Sequence, residues 1–143
     1  MIPNYTLYVE AMDRYQMVEI PPGDPQGLGY EVEDMLAKHL GMRDSEGDYR
    51  GENRVSLVVV DTQTNHVIGG LAEGWHKGDE QGPDGEEVEV YKADIVMDPA
   101  FRGPGMPGLK LAAMIVPRYQ AQKAAHGEYT MMRLWVTNPK LCA

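Results

Sequence analysis

The chain has 143 residues, with 22 acidic against 13 basic side chains and a formal net charge of −9 at pH 7. That length suits a single domain, 1–143, whose core needs no disulfide, and the lone cysteine, Cys142, excludes an internal bridge and fits a reducing, cytoplasmic setting. The acidic balance argues against nucleic-acid binding through a basic face, and no stretch is long and apolar enough to cross a membrane or has the build of a signal peptide.

In chain order, Tyr5 to Val9 reads as a first strand and Arg14 to Ile20 as its continuation or a second extended piece. Pro21-Pro22-Gly23-Asp24-Pro25 breaks the chain. From Leu28 to Met42, residues Leu28, Val32, Met35, Leu36, His39 and Leu40 share one face at helical spacing, and Gly41 ends the helix. Arg43 to Asn53 is polar and predicts a loop. Val55 to Val60 and His66 to Trp75 make a hairpin across the turn residues Asp61 to Asn65. Gly78 to Gly85 predicts a loop, and Glu87 to Met97 a further strand. The polar members of that strand, Glu87, Glu89, Lys92 and Asp94, do not keep to one face, which a β-bulge between Val90 and Asp94 would reconcile.

The strand runs into Asp98-Pro99 and then a glycine-rich loop with one arginine, Arg102, before a helix begins. This order aims backbone N–H groups and the positive end of the helix dipole at one point, where an anion can sit. Glycine lets the backbone approach such a ligand closely. Leu109, Ala112, Ala113, Val116 and Tyr119 line the helix, which runs to about Ala125 and closes at His126-Gly127; Pro117 inside it predicts a kink or a split. Glu128 to Thr137 is the last strand, and Asn138-Pro139 opens a new segment.

The motif V-M-D-P-A-F-R-G-P-G-M-P-G-L-K-L resembles the acyl-CoA-binding motif of the GCN5-related N-acetyltransferases, V-x-P-x-x-R-G-x-G-x-G/A. Val96, Arg102, Gly103 and Gly105 fall in register, Pro99 lies one place late, and Pro107-Gly108 replaces the last small residue. V-I-G-G-L-A-E-G-W resembles the third strand of the same family. The resemblance implies an acyl-CoA N-acyltransferase-like α/β fold, a mainly antiparallel sheet with a helix on each side, covering roughly the first two thirds of a typical member. It implies acetyl-CoA as cosubstrate, held by Ile95, Val96, Met97, Arg102, Gly103, Gly105, Met106 and Gly108, with the pantetheine along the Ile95 to Met97 backbone. The family's late tyrosine, which protonates the departing thiolate, has no counterpart before Ala143, and Tyr119 and Tyr129 are the substitutes to consider.

Acetyl transfer to a primary amine needs a base, for which Glu89, Asp94 and Glu73 are the candidates; the plain alternative for each is an exposed strand carboxylate. His126 suits a helix-end cap, His39 partly buried packing, and the four histidines lack metal-ligand spacing. Trp75 and Trp135 read as core. Acidic runs at Glu31 to Asp34, Asp44 to Asp48 and Asp79 to Glu89 are solvated surface or a docking face for a basic partner, and the last would favour a cationic acceptor such as a polyamine, an aminoglycoside-like molecule or a lysine. An open sheet edge at the last strand implies a homodimer or a gene product that has lost its C-terminal part, and the sequence does not choose between the two. The alternative function is a catalytically inactive interaction protein of the same fold acting through its acidic surface, and a third is an acidic decoy of nucleic acid.

Overall fold

The structure, a computed structural model, describes residues 7–11, 14–103, 105–127 and 130–135, with 7–11, 78–80 and 133–135 described as backbone. One sheet runs in the order β1 (Leu7–Ala11), β2 (Tyr15–Glu19), β3 (Arg54–Asp61), β4 (His66–Gln81), β5 (Glu87–Met97) and β6 (Thr130–Trp135). Neighbours are antiparallel except β5 and β6, which are parallel. A parallel neighbour requires a crossover, supplied here by a 3₁₀ turn at Pro99–Phe101, helix α2 (Gly108–Gln122) and a second 3₁₀ turn at Lys123–His126. Helix α1 (Tyr30–His39) joins β2 to β3 over the other face. This is the mixed α/β architecture expected, with a helix on each side of a mainly antiparallel sheet.

Two apolar clusters hold the layers together. On one face Leu111 and Ile115 of α2 meet Leu57, Leu71 and Tyr91, and on the other Val32 and Leu36 of α1 meet Val18, Val58 and Val96. The β-branched run of β3 is buried on both sides, which explains its near-continuous hydrophobicity. Gly70 sets the approach of α1: a Cβ there would lie 2.5 Å from the Leu57 carbonyl oxygen and 2.7 Å from Val32 Cγ2.

The helices follow the sequence with shorter ends. Asp24 accepts hydrogen bonds from the N–H groups of Leu28 and Gly29, both at 2.9 Å, so α1 starts two residues later than its apolar stripe. It ends where Met42 N–H reaches back to the Leu36 carbonyl (3.2 Å) across Gly41 at φ +69°. Helix α2 runs unbroken through Pro117, contrary to the expected split. Pro117 and Ala113 both lie on the exposed face, where water can serve the carbonyl that the proline leaves without a donor.

Three strand details differ from expectation. The first strand lies at Leu7–Ala11, with residues before 7 outside the described set. Strand β4 continues into the expected loop, because Glu80 and Gln81 keep pairing with Val88 and Glu87 before the turn closes at Gly82 to Glu86. The bulge lies on β4, between His76 and Glu80, while Val90 to Asp94 pair in regular register with His76 to Ala72. The polar residues of β5 need no bulge because both faces supply partners: Glu89 faces α2 and Asp94 faces α1. Strand β6 is the outermost strand among the described residues; 136–143, including Asn138-Pro139, lie outside them.

The β3–β4 turn is fastened by one ion pair. Asp61 is fully buried and accepts from Arg14 Nε at 2.9 Å and Nη2 at 2.7 Å, and from the Gln63 N–H at 3.0 Å. The Arg14 hydrogen bond holds the Asp61 carboxyl down at about 2, although burial works the other way. The unfolded chain would take up that proton near pH 4, so the stabilisation is complete above about pH 4 and is lost as the pH falls through about 2. Asp61→Asn is expected to lower Tm at pH 7 and to flatten the decline of Tm over that acid window, as read by circular dichroism melts.

Candidate active site

The glycine-rich loop leaves β5 at Asp98, whose side chain accepts from the Ala100 N–H (2.9 Å) and starts the 3₁₀ turn. Arg102 follows in extended conformation and is exposed; its Nε donates to the Met97 carbonyl at 2.9 Å, so the guanidinium folds back along the strand end. Gly103 and Gly105 hold φ of +117° and +79°, a region that disfavours any side chain, and the space beside both is open for 4 Å. Met106 anchors the loop, packing on the α2-side core with its sulfur 3.5 Å from the Tyr15 hydroxyl. Pro107 is the N-cap of α2 and needs no N–H there; its carbonyl accepts from Leu111 at 3.1 Å. The first-turn N–H groups, beginning at Gly108, point out of the helix end.

The end of β5 is turned toward this loop. Asp98 N–H donates to the Ile68 carbonyl (2.7 Å). By the antiparallel alternation, Asp94 and Val96 therefore direct their backbone groups to β4, and Ile95 and Met97 direct theirs to the β6 side. Among the described residues, pairing with β6 runs from Glu89 opposite Thr130 to Asp94 opposite Trp135. The Ile95 and Met97 side chains pack with the α2-side core and their backbone groups lie beyond the last described β5–β6 pair, while the Val96 side chain is buried under α1.

The three candidate bases are not together. Glu73 faces α2 and accepts from Arg118 Nε (2.8 Å), from the Tyr91 hydroxyl (2.6 Å) and from Ser56. Burial would raise its carboxyl, but these donors outweigh burial and hold it below the usual range. Burial and the same carboxylate push the Tyr91 hydroxyl up. Glu89 also faces α2, paired with His126 and with Lys77 (3.4 Å), and it too is held low despite burial. His126 therefore does more than cap α2: its ring stacks on Trp75, centroids 4.0 Å apart, and ties the helix end to Glu89.

Tyr119 bonds Thr130 Oγ1 at 2.6 Å, eleven residues along α2 from Gly108. That is about 16 Å from the loop at 1.5 Å per residue. A second cavity of about 650 Å³, between Tyr119, Lys123, Val88 and Met131, lies at this far end. Tyr129 and the Trp135 side chain lie outside the described residues.

Asp94 alone opens on the α1 face. It is buried and accepts from Asn53 Nδ2 at 3.0 Å; Asn53 Oδ1 in turn lies 2.6 Å from His76 Nε2, and His76 Nδ1 lies 3.4 Å from Glu52 Oε2. The Asn53 amide donates to a carboxylate, so its oxygen faces His76 and Nε2 is the donor. Burial pushes the Asp94 carboxyl up, with Asn53, His76 and Lys92 pulling part of the way back. The Tyr49 hydroxyl, which donates to the Asn53 carbonyl at 3.2 Å, is pushed up to about 12, first by burial and then by Asp94. Asp94, Asn53, His76 and Glu52 line a cavity of about 630 Å³ that also includes Met42, Arg50 and Lys92. No described side chain of the acidic run, from Gln81 to Glu89, is among its walls; Glu87 lies about 23 Å along β5 from Asp94 at the usual strand rise.

Asn53, His76, Glu52 and Arg50 were not singled out from the sequence. The signal that places them is strand parity: Asn53 stands two before Val55, which pairs with Ala72, and His76, Ala72 and Asp94 lie on the same face. Gly74 makes the contact possible, since a Cβ there would meet Asn53 Oδ1 at 2.8 Å and His76 Nε2 at 3.1 Å. Gly74→Ala is expected to push Asn53 from His76 and Asp94 with a Tm loss of only a few degrees, and the His76 ring signals in an NMR spectrum should shift accordingly.

No family model matches the chain, and no curated protein matches it. Solved structures do. An aminoglycoside acetyltransferase from an uncultured soil metagenomic sample is similar over 91% of this chain and 82% of its own, at 14% identity and a TM-score of 0.54. A Trypanosoma brucei acetyltransferase is similar over 88% and 85%, at 17% identity and 0.51. Glucosamine-6-phosphate N-acetyltransferase from Arabidopsis thaliana is similar over 90% and 86%, at 13% identity and 0.52. The chain spans more of these proteins than the two thirds anticipated from its motifs. With its antiparallel run of strands, its one parallel pair and the α2 crossover between them, the chain has the fold of the GCN5-related N-acetyltransferases.

Proposed function

We propose that the chain transfers an acetyl group from acetyl-CoA to a primary amine, with Asp94 as the base. The observation that carries this reading is the position of one strand: β5 presents the Ile95 and Met97 backbone toward the loop side, and its next residue, Asp94, opens into a separate cavity on the α1 face. Two substrates entering from opposite faces would meet across that single residue step. Acetyl-CoA would supply the acyl group already activated as a thioester.

The loop suits its pyrophosphate. Open left-handed glycines at 103 and 105, and the N–H groups at the start of α2, offer donors and a favourable dipole with no side chain in the way. Arg102 adds positive charge and, through the Met97 carbonyl, ties the loop to the strand end. The Ile95 and Met97 backbone would accept and donate along a pantetheine arm. Of the eight residues expected to hold the cosubstrate, Val96 would act by packing under α1 and Met106 by anchoring the loop.

On the other face, Asp94 would take a proton from the acceptor's ammonium and leave the nitrogen lone pair free to attack the thioester carbonyl. As the C–N bond forms the C–S bond breaks, and the departing CoA thiolate takes up the proton that the new amide nitrogen loses. The raised carboxyl of Asp94 makes it a stronger base than an exposed aspartate. Asn53 fixes the carboxylate and is itself held by His76, which lies against Glu52; the proton on Asp94 returns to the water of the cavity once product has left. Glu73 and Glu89 hold α2 to the sheet in this reading and take no part in proton transfer. A homodimer, expected from the sequence, would pair through β6, the outermost strand among the described residues.

Isothermal titration of acetyl-CoA should give micromolar binding, and Arg102→Ala should weaken it about tenfold, the loss of one charged hydrogen bond. No detectable binding would overturn the proposal. Asp94→Asn should lower kcat about 100-fold or more and remove the acid limb of the kcat/KM profile, measured by thiol release. Because burial disfavours the Asp94 charge, its cost appears as the pH rises through the raised value. The same variant should therefore keep or raise Tm at pH 8, which separates a catalytic loss from misfolding.

A further inference from the structure

The cavity at Asp94 carries both signs of charge. Its carboxylates, Asp94 and Glu52, are engaged by Asn53 and His76. Its cations are Lys92, two residues before Asp94 on the same face of β5, and Arg50. The Arg50 backbone is fixed, its N–H donating to the Met42 carbonyl at 3.1 Å. Its guanidinium makes no hydrogen bond or ion pair with any described residue. This is notable in a chain with 22 acids and 13 bases, where Asp44, Glu46, Asp48 and Glu52 are all close in sequence.

We infer that the acceptor is a small amphoteric amine: an amino group for Asp94 and, on the same molecule, a carboxylate or phosphate for Arg50. This rests on the acetyl-transfer reading and narrows it. A pocket for a polycation would be lined by acids alone, because each wall cation repels such a ligand and has to be desolvated against it. Here an arginine fork, suited to bidentate contact with planar carboxylate or phosphate oxygens, stands at the wall. Lys92 reinforces the positive side while remaining within the field of Asp94. A volume of about 630 Å³ admits a molecule of sugar or amino-acid size with room for both ends. The cationic acceptors suggested by the acidic run at Asp79 to Glu89 lose their support, since no described side chain of that run is part of this wall.

Matched amines test the inference with the full chain: ethanolamine against O-phosphoethanolamine, propylamine against β-alanine, and spermidine as the polycation. Thiol release with acetyl-CoA should show kcat/KM about tenfold or more higher for the anionic member of each pair, as one charge-assisted contact provides. Arg50→Met should raise KM for the anionic member by about the same factor with kcat nearly constant, narrowing the ratio within the pair. Equal kcat/KM within both pairs, preference for spermidine, or a ratio untouched by Arg50→Met would overturn the inference. Calorimetry of O-phosphoethanolamine and β-alanine reads the pocket without turnover. Binding that Arg50→Met weakens, with no acetylation of any amine, would sink the transfer reading and support the ligand class. Absence of binding for both together with absence of any rate preference would overturn the ligand class.

Discussion

Strand β5 is covered by α2 on one face and reached by α1 and its following segment on the other, so a charged side chain on it has to find a partner or change its protonation. An unpaired buried carboxylate costs several kcal/mol, and the structure meets that constraint differently on each face. Toward α2, Glu89 takes His126 and Lys77, while the neighbouring Glu73 takes Arg118, Ser56 and Tyr91. These pairs fasten the helix that carries the loop. Toward α1, the hydrogen bond that Asp94 receives among the described residues comes from a neutral amide, and burial displaces its carboxyl upward against the nearby His76 and Lys92. The proposed base is thus the acid whose charge is least satisfied.

Much of this frame was legible from the residues. Strand β5 was read to its correct ends because Glu87 and Met97 bound an alternating stretch, and the loop stood out because strand, glycines and helix follow in an order with a physical meaning. Helix α2 was legible from its stripe, although a proline on its exposed face interrupts nothing. The acids were found as residue types but could not be sorted by role, since all three sit on strands and parity across two strands depends on where bulges fall. The register slip between Val55 and Leu57 lets Val55 face α1 and Leu57 face α2 although they are two residues apart. Nothing in the local pattern announces it. The same slip brings Asn53 beneath Asp94, so the wall of the cavity was hidden inside a segment read as loop.

Long-range partners explain the remaining differences. Strand β4 outran its expected end because β5 was available to pair with it, and His126 gained a carboxylate partner 37 residues away. Such contacts are products of tertiary packing and override local propensity.

The wall that carries Arg50, Glu52 and Asn53 belongs to the stretch between α1 and β3, whereas the loop at 102–108 belongs to the β5–α2 crossover. The two stretches lie on opposite faces of the sheet and, among the described residues, share no hydrogen bond or ion pair. Under the proposed function, a change in the first stretch would re-specify what is accepted without disturbing the proposed phosphate cradle, and the scaffold would be open to divergence in acceptor choice one surface segment at a time. Asp94 is the fixed point between them, and Gly74 is the small residue that any such divergence has to retain.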